Sequence, residues 1–341
     1  MRSPYPLRKL SWLLLFALSI LLIACNRPGK GSFRVDVSGV AVPEVRIRDY
    51  GSALFEADRS NLLPELKRLQ AEYGIFLDGD LDDTLNFIGI RDFVNDPALN
   101  RVYQDYKQVY GNKGSLEKDL TEAFRHYRYY VPGAILPQVY LFISGFDFEY
   151  PVACTGPELV LATDLFLGAA YPEYPRLGLP AYKIRRMSPE HILPACMKEI
   201  CLQHIDYDRV GNTLLDKMIF EGKLLLFAEA MMPESSDTII IGYTQNQLRW
   251  VEENESNIWA FYIGNKMLYS TNTQVINKFI LDAPFTPFFS NDSPGRIGCW
   301  TGWQILRSYY ARQEDADLLR LLGEYDAQKI LDGSGYRPRK R

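Results

Sequence analysis

The spacing of apolar positions changes character along the chain, and each change predicts a different kind of structure. Trp12 to Ala24 is a nearly unbroken apolar block. Residues 33–47 (FRVDVSGVAVPEVRI) alternate in part and are rich in Val, which is strand-like. From Leu62 to Tyr73 the apolar positions 62, 63, 66 and 69 mark one face of a helix. Asn86 to Tyr110 continues in helical pieces, with a break near Asn95-Asp96-Pro97. Gly111 to Gly114 reads as a turn, and a helix capped by Ser115 runs to about Tyr130, stopping before Pro132-Gly133.

After that helical half, strand signals take over. Pro137 to Ser144 (PQVYLFIS) and Glu158 to Thr163 (ELVLAT) read as strands, with Tyr150 to Ala153 short and extended between them. Together they predict a small antiparallel sheet. Tyr171 to Tyr182 is a long Pro- and Tyr-rich loop, of the kind that often carries function. Ser188-Pro189-Glu190 then opens a helix with an N-cap, a Pro at its first position and an acidic first turn. It continues past a restart or kink at Pro194 to about Ile205. Asn212 caps a second helix through Met232, with apolar positions 214, 215, 218, 219, 225 and 226. Thr244 to Leu268 is helical, Ala283 to Gly295 is a Pro/Phe loop, and Gly298 to Tyr310 is a helix. Gly298 and Gly302 on that helix allow close backbone approach. Asp315 to Leu322 is the last helix predicted. The fold class is α+β, mainly helical with the small sheet. One globular domain over 46–335 is expected, with a helical half at about 50–131 and a second half at about 135–325.

The apolar block at the start changes meaning once its flanks are read. Arg2, Arg8 and Lys9 precede it, and it is too short for a mature membrane span, which needs about 20 residues. It fits the apolar core of a secretory signal, residues 1–24. It ends in Leu22-Ile23-Ala24-Cys25, the lipobox pattern of bacterial lipoproteins, so Cys25 is the expected lipidation site and the first mature residue. Two or three acyl chains there would anchor the protein stably, where one would not. Residues 25–45 then form the lipidated end and a polar, Pro- and Gly-containing tether. No Asp follows Cys25, and by analogy with known sorting signals that favours an outer-membrane lipoprotein facing the periplasm. Residues 336–341 are a basic tail.

Composition is that of an ordinary globular protein, 47% hydrophobic and 23% charged. A net charge of −4 gives no nucleic-acid footprint. The remaining cysteines, Cys154, Cys196, Cys201 and Cys299, form no C-x-x-C pattern and read as buried small apolar residues.

Candidate chemistry centres on PACMKEICLQHI, residues 194–205. A zinc-protease helix reads H-E-x-x-H, with two His ligands and a Glu base. Here Glu199 stands in the Glu position, but Lys198 and Leu202 occupy the ligand positions. His204 lies about 200° around the helix from position 202 and cannot take its place. A third ligand in such sites is an acid on the following helix, where this chain has Glu221-Gly222. The plain alternative is that Glu199 and Glu221 are charges on ordinary helices. No metal is expected, and no cofactor beyond the covalent lipid on Cys25.

Several stretches resemble one family, the gliding motility-associated lipoprotein GldB of Bacteroidetes. They are LIAC at 22–25, LATDLFLG at 161–168, YKIRRMSPEHILPACMKEI at 182–200 and LLDKMIFEGKLLLFAEAMMP at 214–233. IGYTQNQLRWVEENESNIW at 241–259, LYS at 268–270, APFTPFFSNDSPGRIG at 283–298 and WTGWQILRSY at 300–309 complete the set. The resemblance implies an outer-membrane lipoprotein, facing the periplasm and needed for gliding or the associated secretion and cell-surface machinery. The layout also resembles predicted zinc proteases with intact H-E-x-x-H and E-G helices, which implies a degenerate zincin-like metalloprotease architecture. Its departures at Lys198 and Leu202 leave Glu199 and Glu221 as vestigial acids and favour a non-catalytic, protein-binding role. A hydrolase with a non-standard site, or an envelope lipoprotein in a non-gliding species, are the alternatives. Partner contacts are expected at the aromatic loops, through Tyr171, Tyr174, Tyr182, Phe285, Phe288 and Phe289, unless those rings pack onto the protein's own core.

Overall fold

In the computed structural model, which describes residues 33–338, short polar side chains set most of the helix starts. Cys25, the residues on either side of it and the end of the basic tail from Arg339 lie outside the described residues. Asp49 Oδ1 accepts the Ser52 N–H at the start of α1 (Tyr50–Phe55). α2 (Leu62–Tyr73) follows. The break expected near Asn95-Asp96-Pro97 is a cap shared by two helices. Asp96 ends α3 (Thr84–Asn95) and accepts from Ala98 and Leu99 at the start of α4 (Pro97–Tyr110). Pro97 fits there because a first-turn residue needs no N–H partner. α5 (Gly114–Tyr130) starts one residue before the predicted cap Ser115 and completes this layer.

Residues 33–47 do not form the predicted strand. Only Arg48–Asp49 (β1) pairs with the sheet. The Val45 N–H donates to Thr121 Oγ1 at 2.9 Å and the Ile47 N–H to Glu117 Oε1 at 3.0 Å, both on α5. With these donors met by helix side chains, the segment needs no strand neighbour there. Phe33 is 1% exposed and its ring centroid lies 4.7 Å from that of Tyr310. Packing thus begins inside the stretch expected to be tether.

The sheet is mixed, which corrects the antiparallel expectation. Its order is β1-β2-β4-β3, with β2 at Gln138–Phe142, β3 at Val152–Cys154 and β4 at Glu158–Ala162. A tight turn at Gly156, with φ +93°, folds β3 back on β4 as an antiparallel pair. β4 inserts between β3 and β2 and so runs parallel to β2, from Gln138↔Glu158 to Phe142↔Ala162. β1 is parallel to β2 as well, because the whole helical layer α1–α5 lies between them in sequence. β3 is left at an edge of the sheet.

Beyond the sheet, two single helical turns, α6 (Glu173–Arg176) and α7 (Ala181–Ile184), interrupt the expected Tyr/Pro loop. A 3-10 turn at Pro189–His191 leads into α8 (Ile192–Leu202). Pro194 therefore sits in the first turn of α8 and kinks nothing. α9 (Leu214–Met231) is capped by Thr213, not Asn212. Thr213 Oγ1 accepts from the Asp216 N–H while Asp216 Oδ2 accepts from the Thr213 N–H. Every residue of α9 from Leu224 to Met231 is buried, Glu229 included, so this end of the helix is enclosed on all sides and forms the centre of the core.

α10 (Asp237–Ile241), α11 (Gln245–Glu253), α12 (Glu255–Gly264) and α13 (Thr273–Ile280) wrap this centre. α14 (Ile297–Tyr310) lies against α9, and α15 (Leu318–Leu322) and α16 (Ala327–Ser334) close the chain. α9 and α14 meet through glycine. A Cβ on Gly222 would stand 2.5 Å from the Gly302 carbonyl carbon, so only a glycine lets the two backbones approach this far.

One charged group is built into this contact. Arg307 on α14 is 1% exposed and donates to Glu229 Oε1 and Oε2, both at 2.8 Å, and to both carboxylate oxygens of Asp237 at 2.8 and 3.0 Å. Trp303 Nε1 adds a 2.7 Å bond to Glu229, and the guanidinium lies 3.8 Å over the Trp303 ring. With four of its five N–H donors matched by carboxylate oxygens, the guanidinium can be held in the core. Among the described residues no helix is long and apolar enough to cross a membrane.

Candidate functional site

α8, α9, the start of β3, the end of α10 and residues 280–282 enclose a cleft of about 500 Å³. Its size lies within the usual range for ligand pockets. The walls are apolar, with Leu165, Phe166, Ile239, Ile241, Ile280 and Leu281 among them. Lys198 and Glu199 reach it from α8 and Glu221 from α9. The two acids marked out by the sequence therefore face one space rather than opposite sides of the molecule.

The floor is charged, and most of its charges are matched. Arg186 pairs with Asp282 through Nη2 and Oδ2. Arg296 lies 3.7 Å from both Asp282 Oδ1 and Glu221 Oε2. Burial would raise the Asp282 carboxyl, but Arg296 and Arg186 hold it below the usual carboxylate range. The Cys299 thiol lies 3.7 Å from Glu221 Oε2 and donates to the Ile280 carbonyl at 3.3 Å. Arg296 is placed by an unusual backbone. Its φ of +59° is left-handed, a conformation that costs a side-chain-bearing residue about 1–3 kcal/mol. That conformation aims the guanidinium at Glu221 and Asp282 while its Nη1 caps the Ile241 carbonyl at 3.1 Å.

Lys198 and Glu199 have no such match. Lys198 makes no hydrogen bond or ion pair among the described residues, and neither does Glu199 beside it. Burial pushes the Lys198 amine down to about 7; Arg296 and Arg186 push the same way, against Glu221 and Cys299. Burial alone raises the Glu199 carboxyl. His191 lines the same cleft. Its Nδ1 shares a 2.9 Å hydrogen bond with Ser188 Oγ, and burial lowers the ring to about 4, so it is neutral near pH 7.

These residues do not fit a zinc ion. Lys198 brings positive charge where a donor would be needed, Leu202 brings no donor atom, and Glu221 already faces Arg296. Among the described residues, no group of three or more His, Cys, Asp or Glu side chains is placed to hold a metal. His204 lies away from the cleft, with Nε2 sharing a 2.8 Å hydrogen bond with Tyr127 Oη.

The aromatic loop residues lie outside the cleft, and several serve the fold. Tyr174 is 0% exposed, accepting from the Leu167 N–H and donating to the Asp164 carbonyl, which removes it from any surface. Tyr171 is half-buried and donates to Asp105. Phe288 stacks on Phe279 at 4.8 Å, and Phe289 packs against Phe261 and Trp250. These rings fill gaps under their own loop. Tyr182 and Phe285 are half-buried.

Arg186, His191, Asp282 and Arg296 were not marked by the sequence. They lie in three separate stretches with no shared spacing, and only the fold joins them. One local signal exists in retrospect: Arg296 follows Ser293-Pro294-Gly295, in a tight loop opening a helix.

Residues 30–338 match the family described as gliding motility protein GldB. No curated protein and no solved structure matches the chain.

Proposed function

Because the chain belongs to the GldB family of gliding motility proteins, we propose that it is a lipid-anchored envelope component of the gliding machinery, or of the secretion machinery associated with it, and that it holds a protein partner without catalysing a reaction. In this reading Cys25 carries the lipid and the body faces the periplasm from the outer membrane, as one domain over about 46–335. The observation that supports a binding role most directly is the cleft itself. It gathers Glu199 and Glu221, but fills the ligand positions with Lys198 and Leu202 and engages Glu221 with Arg296. A cation entering there would meet two guanidiniums and an amine, and it would have to break the Arg296–Glu221 pair. The same pair of acids supports reading the scaffold as one derived from a zinc protease whose metal site is gone.

Metal analysis of the purified protein and complementation of a deletion strain test this reading together. The expected result is no stoichiometric metal, and gliding restored by the unaltered chain. Bound zinc that disappears in Glu221→Ala would sink the non-catalytic reading, and a deletion strain that glides normally would remove the motility role. The anchor is tested separately. Cys25→Ala is expected to shift the protein from the membrane fraction to the soluble fraction, and an unchanged distribution would remove the lipid from the proposal.

A further inference from the structure

The charges facing the cleft leave one cation over. Arg186 is matched by Asp282, and Arg296 by Asp282 and Glu221. Lys183, from α7, also lines the cleft without an ion pair, and His191 is neutral there. Lys198 stands among these groups with no counter-ion, and Glu199 beside it in sequence is beyond ion-pair distance. A half-buried amine without a partner is costly to keep. The apolar side chains around it, including Leu165, Ile239 and Ile280, offer it no hydrogen bond.

We infer that Lys198 is the anchor for a single carboxylate carried on an apolar body, and specifically for the free C-terminus of a protein partner entering the cleft as an extended peptide. Three observations select this ligand. The lining carries four cations against three acids, and that single net positive charge calls for one negative charge; a phosphate dianion would add charge against Glu199, Glu221 and Asp282. The apolar walls suit the last side chain of such a peptide. Glu199, also unmatched, is free to accept a peptide N–H, and the cleft runs along Pro151 and Val152 at the outer strand of the sheet. A fatty acid would use the amine and the walls but leave Glu199 and the strand without partners. This inference rests on the binding role proposed above and adds the chemistry of what is bound.

The test uses the full-length protein in detergent and two labelled pools of pentapeptides ending in Leu, Ile or Phe. One pool has a free carboxyl end and the other is amidated. The acid pool is expected to bind at least about tenfold more tightly than the amide pool. Binding of the acid pool should weaken as pH rises from 6 to 9, through the range where the amine loses its proton. Lys198→Met is expected to lose the preference for the acid, and Lys198→Arg to keep it without the pH dependence. Equal binding of both pools, binding of neither, or displacement of the acid pool by palmitate but not by unlabelled peptide would overturn the inference. The pool comparison needs no variant, so a misfolded Lys198→Met protein does not blunt it. Failure here with metal-free protein leaves the non-catalytic reading standing, whereas stoichiometric zinc removes that reading whatever the peptides do.

Discussion

Gly302 on α14 lies so close to Met218 on α9 that a Cβ added to it would stand 1.8 Å from the Met218 carbonyl oxygen. The obstacle is backbone in the middle of the core helix, which cannot rotate aside as a side chain would. Gly302→Ala is therefore expected to lower the unfolding free energy by about 3 kcal/mol or more. Urea denaturation followed by far-UV circular dichroism checks it. A loss under about 1 kcal/mol would mean that α9 and α14 can separate without cost.

Arg307 holds two buried acids. In Arg307→Met, Glu229 and Asp237 keep their burial and lose their main partner. The expected loss is about 3–5 kcal/mol near pH 7. Unpaired buried carboxylates take up protons more readily than exposed ones, so the variant's deficit should shrink as pH falls toward 5. A deficit that is flat with pH would show that the loss comes from packing against Trp303 rather than from charge.

Lys198 predicts a change of the opposite sign. Its folded amine titrates near 7 against an ordinary value of 10.5, so below pH 7 the folded protein carries the cost of a partly desolvated charge. That cost fades as pH rises from 7 toward 10.5, where only the unfolded chain is still protonated. Lys198→Met should raise the thermal midpoint, and raise it more at pH 6 than at pH 9. Equal shifts at the two pH values would contradict a strained amine.

His191 controls the acid side of the same cleft. Its ring titrates near 4 in the folded protein and 6.5 ordinarily. Between those values the unfolded chain binds the extra proton, so stability falls as pH drops through this window. The contribution is about 2 kcal/mol after allowance for partial solvation. His191→Gln, which keeps a hydrogen-bonding group toward Ser188, should flatten the stability profile between pH 6.5 and 4.5. An unchanged profile would assign the acid sensitivity to other groups.

Much of the fold could be read from the sequence because its signals are local. Asp96-Pro97 marks a shared cap, Gly111 to Gly114 a turn, and the apolar breadth of Leu214 to Met232 a central helix. The sheet direction could not be read this way, because β4 inserts between β2 and β3 through pairing that no local pattern records. Residues 33–47 looked like a strand because they are rich in Val and partly alternating, yet side chains of α5 satisfy two of the amides there. In the cleft, Glu199 and Glu221 stood out by motif. Arg186, Asp282 and Arg296 did not, since their only relation is spatial and Arg296 depends on a left-handed backbone. Tyr174 shows the reverse failure: an aromatic in a Pro-rich loop looks free to bind, but its hydroxyl is committed to Leu167 and Asp164.

The burial of Phe33 against Tyr310 sets a distance. With lipid on Cys25, only the seven residues 26–32 separate the membrane anchor from the first packed side chain. Fully extended, the span from Cys25 to Phe33 is at most about 28 Å. The body would then be held within one protein diameter of the bilayer, and a partner of the cleft, as proposed above, would have to reach that thin layer to be bound.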